Sequence, residues 1–119
     1  MNRLCAGLAA AFVVLVVTAR TETDSSGKDL FERRCSGCHS LNHDKEGPRL
    51  GGVYGRAAGS VASFNYSDAL KNSHITWDAD SLDKWLSGPE KLVPATDMAF
   101  HVESASERTA IISYLKGAP

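Results

Sequence analysis

Apolar residues recur at helical spacing in several segments of the chain, and no segment shows a convincing alternation of apolar and polar residues. The sequence therefore predicts an all-α protein. The first helix should begin near Gly27, behind a cap at Ser25 or Ser26. Its apolar face should run from Leu30 to Cys38.

Two further helices are predicted in the middle of the chain. Residues Ser67 to Asn72 favour a short helix. A longer one should begin behind a cap at Asp78 or Asp80 and end at Gly88-Pro89. The apolar face of the longer helix consists of Leu82, Trp85 and Leu86.

The C-terminal helix has the clearest signals. Ser104 and Glu107 have the spacing of a capping box, and Lys116-Gly117 is typical of a helix end. Between them, an apolar stripe follows Arg108 and contains Ile111, Ile112 and Leu115.

Segment 41–63 is rich in glycine and proline and shows no periodicity, which predicts a long folded loop. A loop of this length in a small domain needs a physical reason. Wrapping around the edge of a flat ligand is one.

Residues 4–19 are apolar and uncharged, follow Arg3, and end in the small-residue pattern Val17-Thr18-Ala19. The run is short for a membrane span, which needs about 20 residues. We therefore expect an export signal, with an uncleaved anchor facing the periplasm as the alternative. The predicted segments are an export signal at 1–19, a polar tether at 20–26 and one domain at 27–117.

The charges of the chain are nearly balanced, with 13 basic and 14 acidic residues among 119. This balance gives no reason to expect nucleic-acid binding. The length fits one small domain, which we expect to be monomeric.

Cys35-Ser36-Gly37-Cys38-His39 is the most informative motif, because C-x-x-C-H is typical of covalent haem attachment. The spacing places the two thiols about one helical turn apart, so both can reach the vinyl groups on one edge of a porphyrin. The histidine that follows can then bind the iron.

Two other readings of the cysteine pair are weaker. A thioredoxin-like redox pair needs a βαβ setting, which the sequence lacks. A zinc site usually needs two more Cys or His ligands. The remaining histidines are scattered singly, and Cys5 falls within the predicted export signal.

The second axial ligand of the iron could be Met98, His43, His74, His101 or none of these. A lone methionine is usually core filler. Met98, however, lies in a stretch stiffened by Pro94, about 60 residues after the attachment motif. That separation allows the chain to pass around the porphyrin, so Met98 is the preferred candidate.

With these features the chain resembles the class I c-type cytochromes, which include mitochondrial and periplasmic electron carriers. The resemblance runs from about Gly27 to Lys116. It implies one haem c bound through Cys35 and Cys38, and terminal helices that cross. The matching residues are Gly27, Phe31, the C-x-x-C-H motif, Gly47-Pro48, Gly55-Arg56, Phe64-Asn65-Tyr66, Ile75-Thr76-Trp77, Pro89, Pro94-Ala95-Thr96-Asp97-Met98 and Tyr114-Leu115.

The resemblance also implies roles for residues around the haem. His39 and Met98 would be the axial ligands, and the Pro48 carbonyl would orient His39. The buried propionates need donors, since burial without them would cost several kcal/mol. The implied donors are Arg56, Tyr66, Trp77 and Thr96.

The chain departs from the family pattern at four positions. Trp85 stands where a tyrosine usually bonds the methionine sulfur, and Leu70 replaces a common asparagine. Both changes should move the reduction potential. Glu90 and Asp97 replace lysines that flank the exposed haem edge, so a partner that recognises a lysine-rich face should match poorly.

We therefore expect a soluble periplasmic carrier rather than an enzyme. It would pass one electron between a redox protein donor and acceptor, such as a membrane cytochrome complex, an oxidase or a dehydrogenase, by Fe(III)/Fe(II) cycling. The altered packing at Trp85 and Leu70 leaves one alternative, a haem sensor or peroxidase-like enzyme with a labile methionine ligand.

Overall fold

The computed structural model describes residue 14 and residues 22–119, so the predicted export signal lies almost entirely outside the described residues. Their only β-pairing is an isolated antiparallel bridge between Ala57 and Thr76, and the all-α prediction is confirmed. None of the helices described is long and apolar enough to cross a membrane. The helices are α1 (Glu22–Arg34), α2 (Asp68–Lys71), α3 (Ala79–Ser87), α4 (Pro89–Leu92) and α5 (Ala105–Gly117).

Helix α1 begins five residues before the predicted start at Gly27, so most of the predicted tether at 20–26 is helical. Ser25 and Ser26 therefore lie inside the helix and do not cap it. The prediction relied on where the apolar positions begin. Residues 22–26 are all polar, so the spacing of apolar residues gives no sign of a helix there. They contain no glycine or proline, however, and can therefore be helical.

Helices α1 and α5 pack directly against each other at Gly27. A Cβ atom on Gly27 would clash with the Ala110 carbonyl oxygen and lie 2.9 Å from the Tyr114 Cβ. One turn further along α1, the rings of Phe31 and Tyr114 pack with their centroids 5.5 Å apart. The predicted contact between the terminal helices is confirmed.

The N-terminus of α5 forms only half of the predicted capping box. The Ser104 hydroxyl accepts a hydrogen bond from the Glu107 N–H at 3.3 Å. The Glu107 carboxylate does not return the bond, because it accepts one from the Arg34 guanidinium at 3.1 Å. The predicted apolar stripe is buried at Ile111, Ile112 and Leu115.

The two middle helices form as predicted. Ser67 caps α2, and Asp78 caps α3 in a reciprocal box with Ser81. Helix α3 ends before Gly88 as predicted. Pro89, which was expected only to end that helix, is also the first residue of α4. Proline is favoured at a first helical position, where no N–H is needed. The buried face of α3 is Leu82, Trp85 and Leu86.

The predicted long loop is confirmed, since no helix forms within 41–63. The Asp44 carboxylate ties its two ends together by accepting bonds from the Ser63 hydroxyl at 2.6 Å and the Arg49 N–H at 2.9 Å. These bonds, that from Ser63 foremost, hold the pKa of Asp44 below its usual value. The loop thereby has a fixed shape along one side of the candidate site.

Candidate functional site

A cavity of about 470 Å³ lies between the end of α1, the long loop, α3 and the segment before α5. This volume is within the range of about 300–1,000 Å³ typical of cofactor and ligand sites. Every site residue named from the sequence lines it: Cys35, Cys38, His39, Pro48, Arg56, Tyr66, Trp77, Trp85, Thr96 and Met98.

The cavity occupies the centre of the hydrophobic core. Nine of the sixteen buried hydrophobic residues line it, so a ligand there would be packed on most sides by side chains that need an apolar partner. A flat apolar group fits this requirement. The nine are Val53, Tyr66, Leu70, Trp77, Leu82, Trp85, Leu86, Ile111 and Leu115.

The attachment motif continues the winding of α1. The Cys35 N–H donates to the Phe31 carbonyl at 2.8 Å, and the His39 N–H donates to the Cys35 carbonyl at 2.9 Å. Cys35 and Cys38 are both free thiols. Burial raises the pKa of the Cys35 thiol to about 11, so it is neutral near pH 7, which disfavours a reactive thiolate redox pair.

The imidazole of His39 has a fixed orientation. Its Nδ1 atom lies 2.8 Å from the Pro48 carbonyl oxygen. Because a carbonyl only accepts hydrogen bonds, Nδ1 carries the proton and the Nε2 lone pair is left for a metal. Burial is the main cause that lowers the pKa of His39, which favours the neutral ring that binds iron.

Of the four candidates for a second axial ligand, only Met98 lines the cavity. It is half-buried and packs against the core. The three histidines considered from the sequence, His43, His74 and His101, are exposed and lie outside the cavity lining. The structure therefore brings one imidazole and one thioether to the same cavity.

Arg56 and Tyr66 bring polar groups to one wall of the cavity. The Arg56 guanidinium donates to the carbonyls of Gly51, at 3.2 Å, and Arg49, at 2.9 Å. Among the described residues it has no carboxylate within salt-bridge distance, and burial lowers its pKa. The Tyr66 hydroxyl accepts from the Val61 N–H at 3.2 Å and keeps its proton to donate. A cation without a carboxylate partner next to a free O–H suits an anionic group such as a propionate.

Trp77 and Trp85 pack edge to face at the cavity, with ring centroids 5.2 Å apart. Leu70 also lines the cavity, so both departures from the family pattern at Trp85 and Leu70 fall on its walls. Asp97 is exposed at the cavity mouth, and Glu90 is exposed in α4 outside the lining.

Sequence reasoning did not assign a role to Gly47, which packs against the His39 ring. A Cβ on Gly47 would lie 2.6 Å from Nδ1 and 2.8 Å from Nε2. The signal available was the Gly47-Pro48 pair itself, because a glycine before a residue that orients a ligand leaves room for close approach.

Sequence reasoning also missed Phe64, whose ring packs edge to face on that of Tyr66, with centroids 4.9 Å apart.

The cavity as a whole fits a covalently attached haem. It offers two thiols, an imidazole, a thioether, paired donors and apolar walls.

Known proteins agree with this site. The family model described as cytochrome c matches residues 25–119. Cytochrome c of Euglena viridis is 46% identical over 93 residues, covering 76% of this chain and 91% of that protein. Cytochrome c type-1 of Ascaris suum is 39% identical over 94 residues, covering 76% and 84%. Cytochrome cH from Methylobacterium extorquens has a similar structure, with a TM-score of 0.74, 39% identity and coverage of 78% and 96%.

Proposed function

The chain belongs to the cytochrome c family, and we propose that His39 and Met98 are the axial ligands with which it holds the iron of its haem. It is a single-haem electron carrier with haem c attached through Cys35 and Cys38. The observation that supports the second ligand is the position of Met98 at the cavity, where none of the three alternative histidines lies.

The bound haem supplies a one-electron Fe(III)/Fe(II) couple. The protein keeps the imidazole in one orientation, through the Pro48 carbonyl on one side and Gly47 on the other. A fixed ligand rearranges little when the charge of the iron changes. Thioether ligation by Met98 raises the reduction potential relative to a pair of histidines.

The proposed propionate-binding residues are Arg56 and Tyr66, assisted by Trp77 and Thr96. Arg56 and Tyr66 are held by bonds to backbone groups of the long loop and keep donors free for a carboxylate. Charge-assisted bonds of this kind are about twice as strong as neutral ones. They offset the burial of a negative group in an apolar cavity.

We propose that the partners are a donor and an acceptor protein that dock briefly at the cavity mouth. Phe100, which is 45% exposed beside Met98, gives this surface an apolar centre. Interfaces of weak electron-transfer complexes are below about 1,200 Å². Asp97 places an exposed carboxylate on this face. A partner that recognises a lysine-rich face should therefore bind it poorly.

The proposed location is the periplasm, to which the export signal at 1–19 would direct the protein. The alternative is a protein held at the membrane by an uncleaved N-terminal anchor. The basis is the apolar run behind Arg3 and the small residues that end at Ala19. N-terminal sequencing of the purified protein tests it: a mature chain that begins at Arg20 supports cleavage, and an intact Met1 supports the anchor.

The ligand assignment is tested by replacing Met98. In the ferric protein, methionine–iron charge transfer gives a weak absorption band at the red end of the visible spectrum. The band should be present in the wild type and absent in Met98→Ala, and the matched controls His74→Ala and His101→Ala should retain it. A band that survives in Met98→Ala would show that another group binds the iron.

Carbon monoxide distinguishes the carrier from a sensor or peroxidase-like protein. With Met98 bound, the reduced wild type should bind carbon monoxide slowly at neutral pH, and Met98→Ala should bind it rapidly. Rapid binding by the wild type would contradict stable ligation.

A further inference from the structure

Arg108 of α5 joins three parts of the molecule. Its side chain is only 12% exposed. Its Nη1 group donates to the Val102 carbonyl at 2.9 Å and to the Glu103 carbonyl at 2.8 Å. Its Nε group donates to the Asp83 carboxylate of α3 at 2.7 Å. One guanidinium therefore links α3, α5 and the end of the segment that carries Met98.

The Met98 side chain packs against the core, but the backbone of its segment has few hydrogen bonds. Within the described chain, residues 97–101 take part in no backbone–backbone hydrogen bond. The nearest such bonds on either side are those from the Thr96 N–H to the Val93 carbonyl at 3.2 Å, and from the Val102 N–H to the Leu86 carbonyl at 2.7 Å. The position of Met98 thus depends on how firmly the two ends of its segment are held.

The C-terminal end of the segment is held at Val102, which is 2% exposed. Its N–H is bonded to α3 and its carbonyl to Arg108. The N-terminal end turns at Ala95, whose positive φ of 66° is unusual for a residue with a side chain. The chain therefore reaches Met98 from a bend on one side and from the Arg108 contact on the other.

We propose that Arg108 is a positioning residue for the second axial ligand, holding the segment end at Val102 and Glu103 so that Met98 stays at the cavity. This inference rests on the proposed ligation by Met98. Asp83 keeps the guanidinium in place. The planar fork of arginine can serve two carbonyls and a carboxylate at once, which the point charge of lysine cannot do.

Loss of the Arg108 contacts should release Met98 more often without unfolding the protein. An external ligand that takes the vacated iron position then binds more tightly, in proportion to the fraction of molecules in which Met98 is detached. Imidazole is a suitable probe, because it binds ferric haem and its binding abolishes the red absorption band.

The test uses holoprotein carrying Arg108→Met, Arg108→Lys or Asp83→Asn. Imidazole affinity is measured from the ferric spectrum, and global stability from helix content in denaturant. Arg108→Met should bind imidazole about tenfold more tightly, which corresponds to about 1.4 kcal/mol. Arg108→Lys should recover part of this difference, and Asp83→Asn should show a smaller increase than Arg108→Met.

Two controls separate positioning from general destabilisation. Lys84→Met removes an exposed cation of α3 that pairs with Asp80 at 2.9 Å, and it should leave imidazole affinity unchanged. Ile112→Ala truncates a buried residue of α5 outside the cavity lining, so it should lower global stability with little effect on imidazole affinity.

Two results would overturn the inference. If Arg108→Met raises imidazole affinity no more than Ile112→Ala does, Arg108 serves general stability only, and the ligation by Met98 stands. If the wild type lacks a Met98-dependent band, both the ligation and the inference fail. Should Arg108→Met not fold, Asp83→Asn and Arg108→Lys give the same comparison.

Discussion

The Nδ1 atom of His39 lies 2.8 Å from the Pro48 carbonyl oxygen, while Gly47 packs against the same ring. The residue before Pro48 therefore leaves the space in which the imidazole sits. The Pro48 carbonyl fixes the tautomer of His39, and the absence of a side chain on Gly47 lets the ring approach the backbone closely. The two neighbouring residues together determine the direction in which Nε2 points.

Replacing Gly47 with alanine should displace the His39 ring. The new Cβ would lie 2.6 Å from Nδ1, closer than real contacts allow, so the ring or the backbone has to shift. Overpacking of this kind costs about 1–3 kcal/mol. The denaturant midpoint of the holoprotein should fall, and the ferric spectrum should show weakened His39 ligation.

The matched control for this change is Gly117→Ala, because a Cβ on Gly117 meets no atom within 4 Å. It should leave both the spectrum and the midpoint nearly unchanged. An unaltered spectrum in Gly47→Ala would mean that the His39 ring has more room than the structure gives it.

Replacing Gly27 with valine should separate α1 from α5. A Cβ there clashes with the backbone carbonyl of Ala110, which cannot rotate away as a side chain would. We expect a loss of about 1–3 kcal/mol in the free energy of unfolding, measured in urea. The pairing of Phe31 with Tyr114 should weaken too, and near-ultraviolet circular dichroism would report it. A variant as stable as the wild type would show that the helices can slide apart at no cost.

The sequence could predict those parts of the fold that depend on local signals. The cap of α3, predicted at Asp78 or Asp80 and found at Asp78, lies next to the helix it begins, and the cysteine motif indicates its own chemistry. Competition between distant partners could not be predicted. Glu107 has the spacing for a capping box, but its carboxylate bonds to Arg34, which is 73 residues away in the chain.

Arg108 illustrates the same limit within the candidate site. In the sequence it only precedes an apolar stripe, and nothing marks Asp83 as its partner 25 residues earlier. The cysteine motif and Met98 could be found from their own chemistry and spacing, and the resemblance added Pro48, Arg56 and the other residues around the haem. The residue that anchors the Met98 segment could be found only once α3 and α5 were placed side by side.

Asp78 should make the stability of α3 depend on pH in the acid range. Its carboxylate accepts bonds from the Ser81 N–H at 2.8 Å and hydroxyl at 3.1 Å, and these bonds lower its pKa from the usual 3.8. Because the folded pKa is below the unfolded one, the stabilisation is fully present above about pH 3.8. It is lost as the pH falls through the lowered value.

The comparison with Asp78→Asn isolates this effect, since the amide can still accept a bond but does not titrate. The difference in Tm between the two proteins should be constant above pH 5 and shrink as the pH falls below about 3.8. In a Ser81→Ala background the pH dependence of this difference should be smaller but still present, because the hydroxyl bond is lost while the bond from the Ser81 N–H remains. A difference that stays constant down to pH 2 would exclude a lowered pKa at Asp78.

Removing both thiols should separate haem attachment from haem binding. Wild-type polypeptide should keep its colour after denaturation in acidified organic solvent, because thioether bonds survive it. A variant with Cys35→Ala and Cys38→Ala should lose its pigment to the solvent. Colourless wild-type polypeptide would contradict covalent attachment.

The same variant, prepared without haem, should be largely unfolded. Nine of the sixteen buried hydrophobic residues line the cavity, so more than half of the core should gain packing partners from a bound haem. A chain of this size has little other apolar surface to bury. Helix α1 could still pack on α5 through Phe31 and Tyr114, but α3 and the long loop would lose the surface that orders them.

Circular dichroism of the haem-free variant measures this dependence, with the haem-loaded wild type as reference. We expect a small helical signal without a cooperative thermal transition, and recovery of helix content when haem is added. A haem-free chain that melts cooperatively with full helix content would mean that the residues lining the cavity pack stably without haem. The protein would then fold before it binds haem, and the length of the loop at 41–63 would not be explained by the haem.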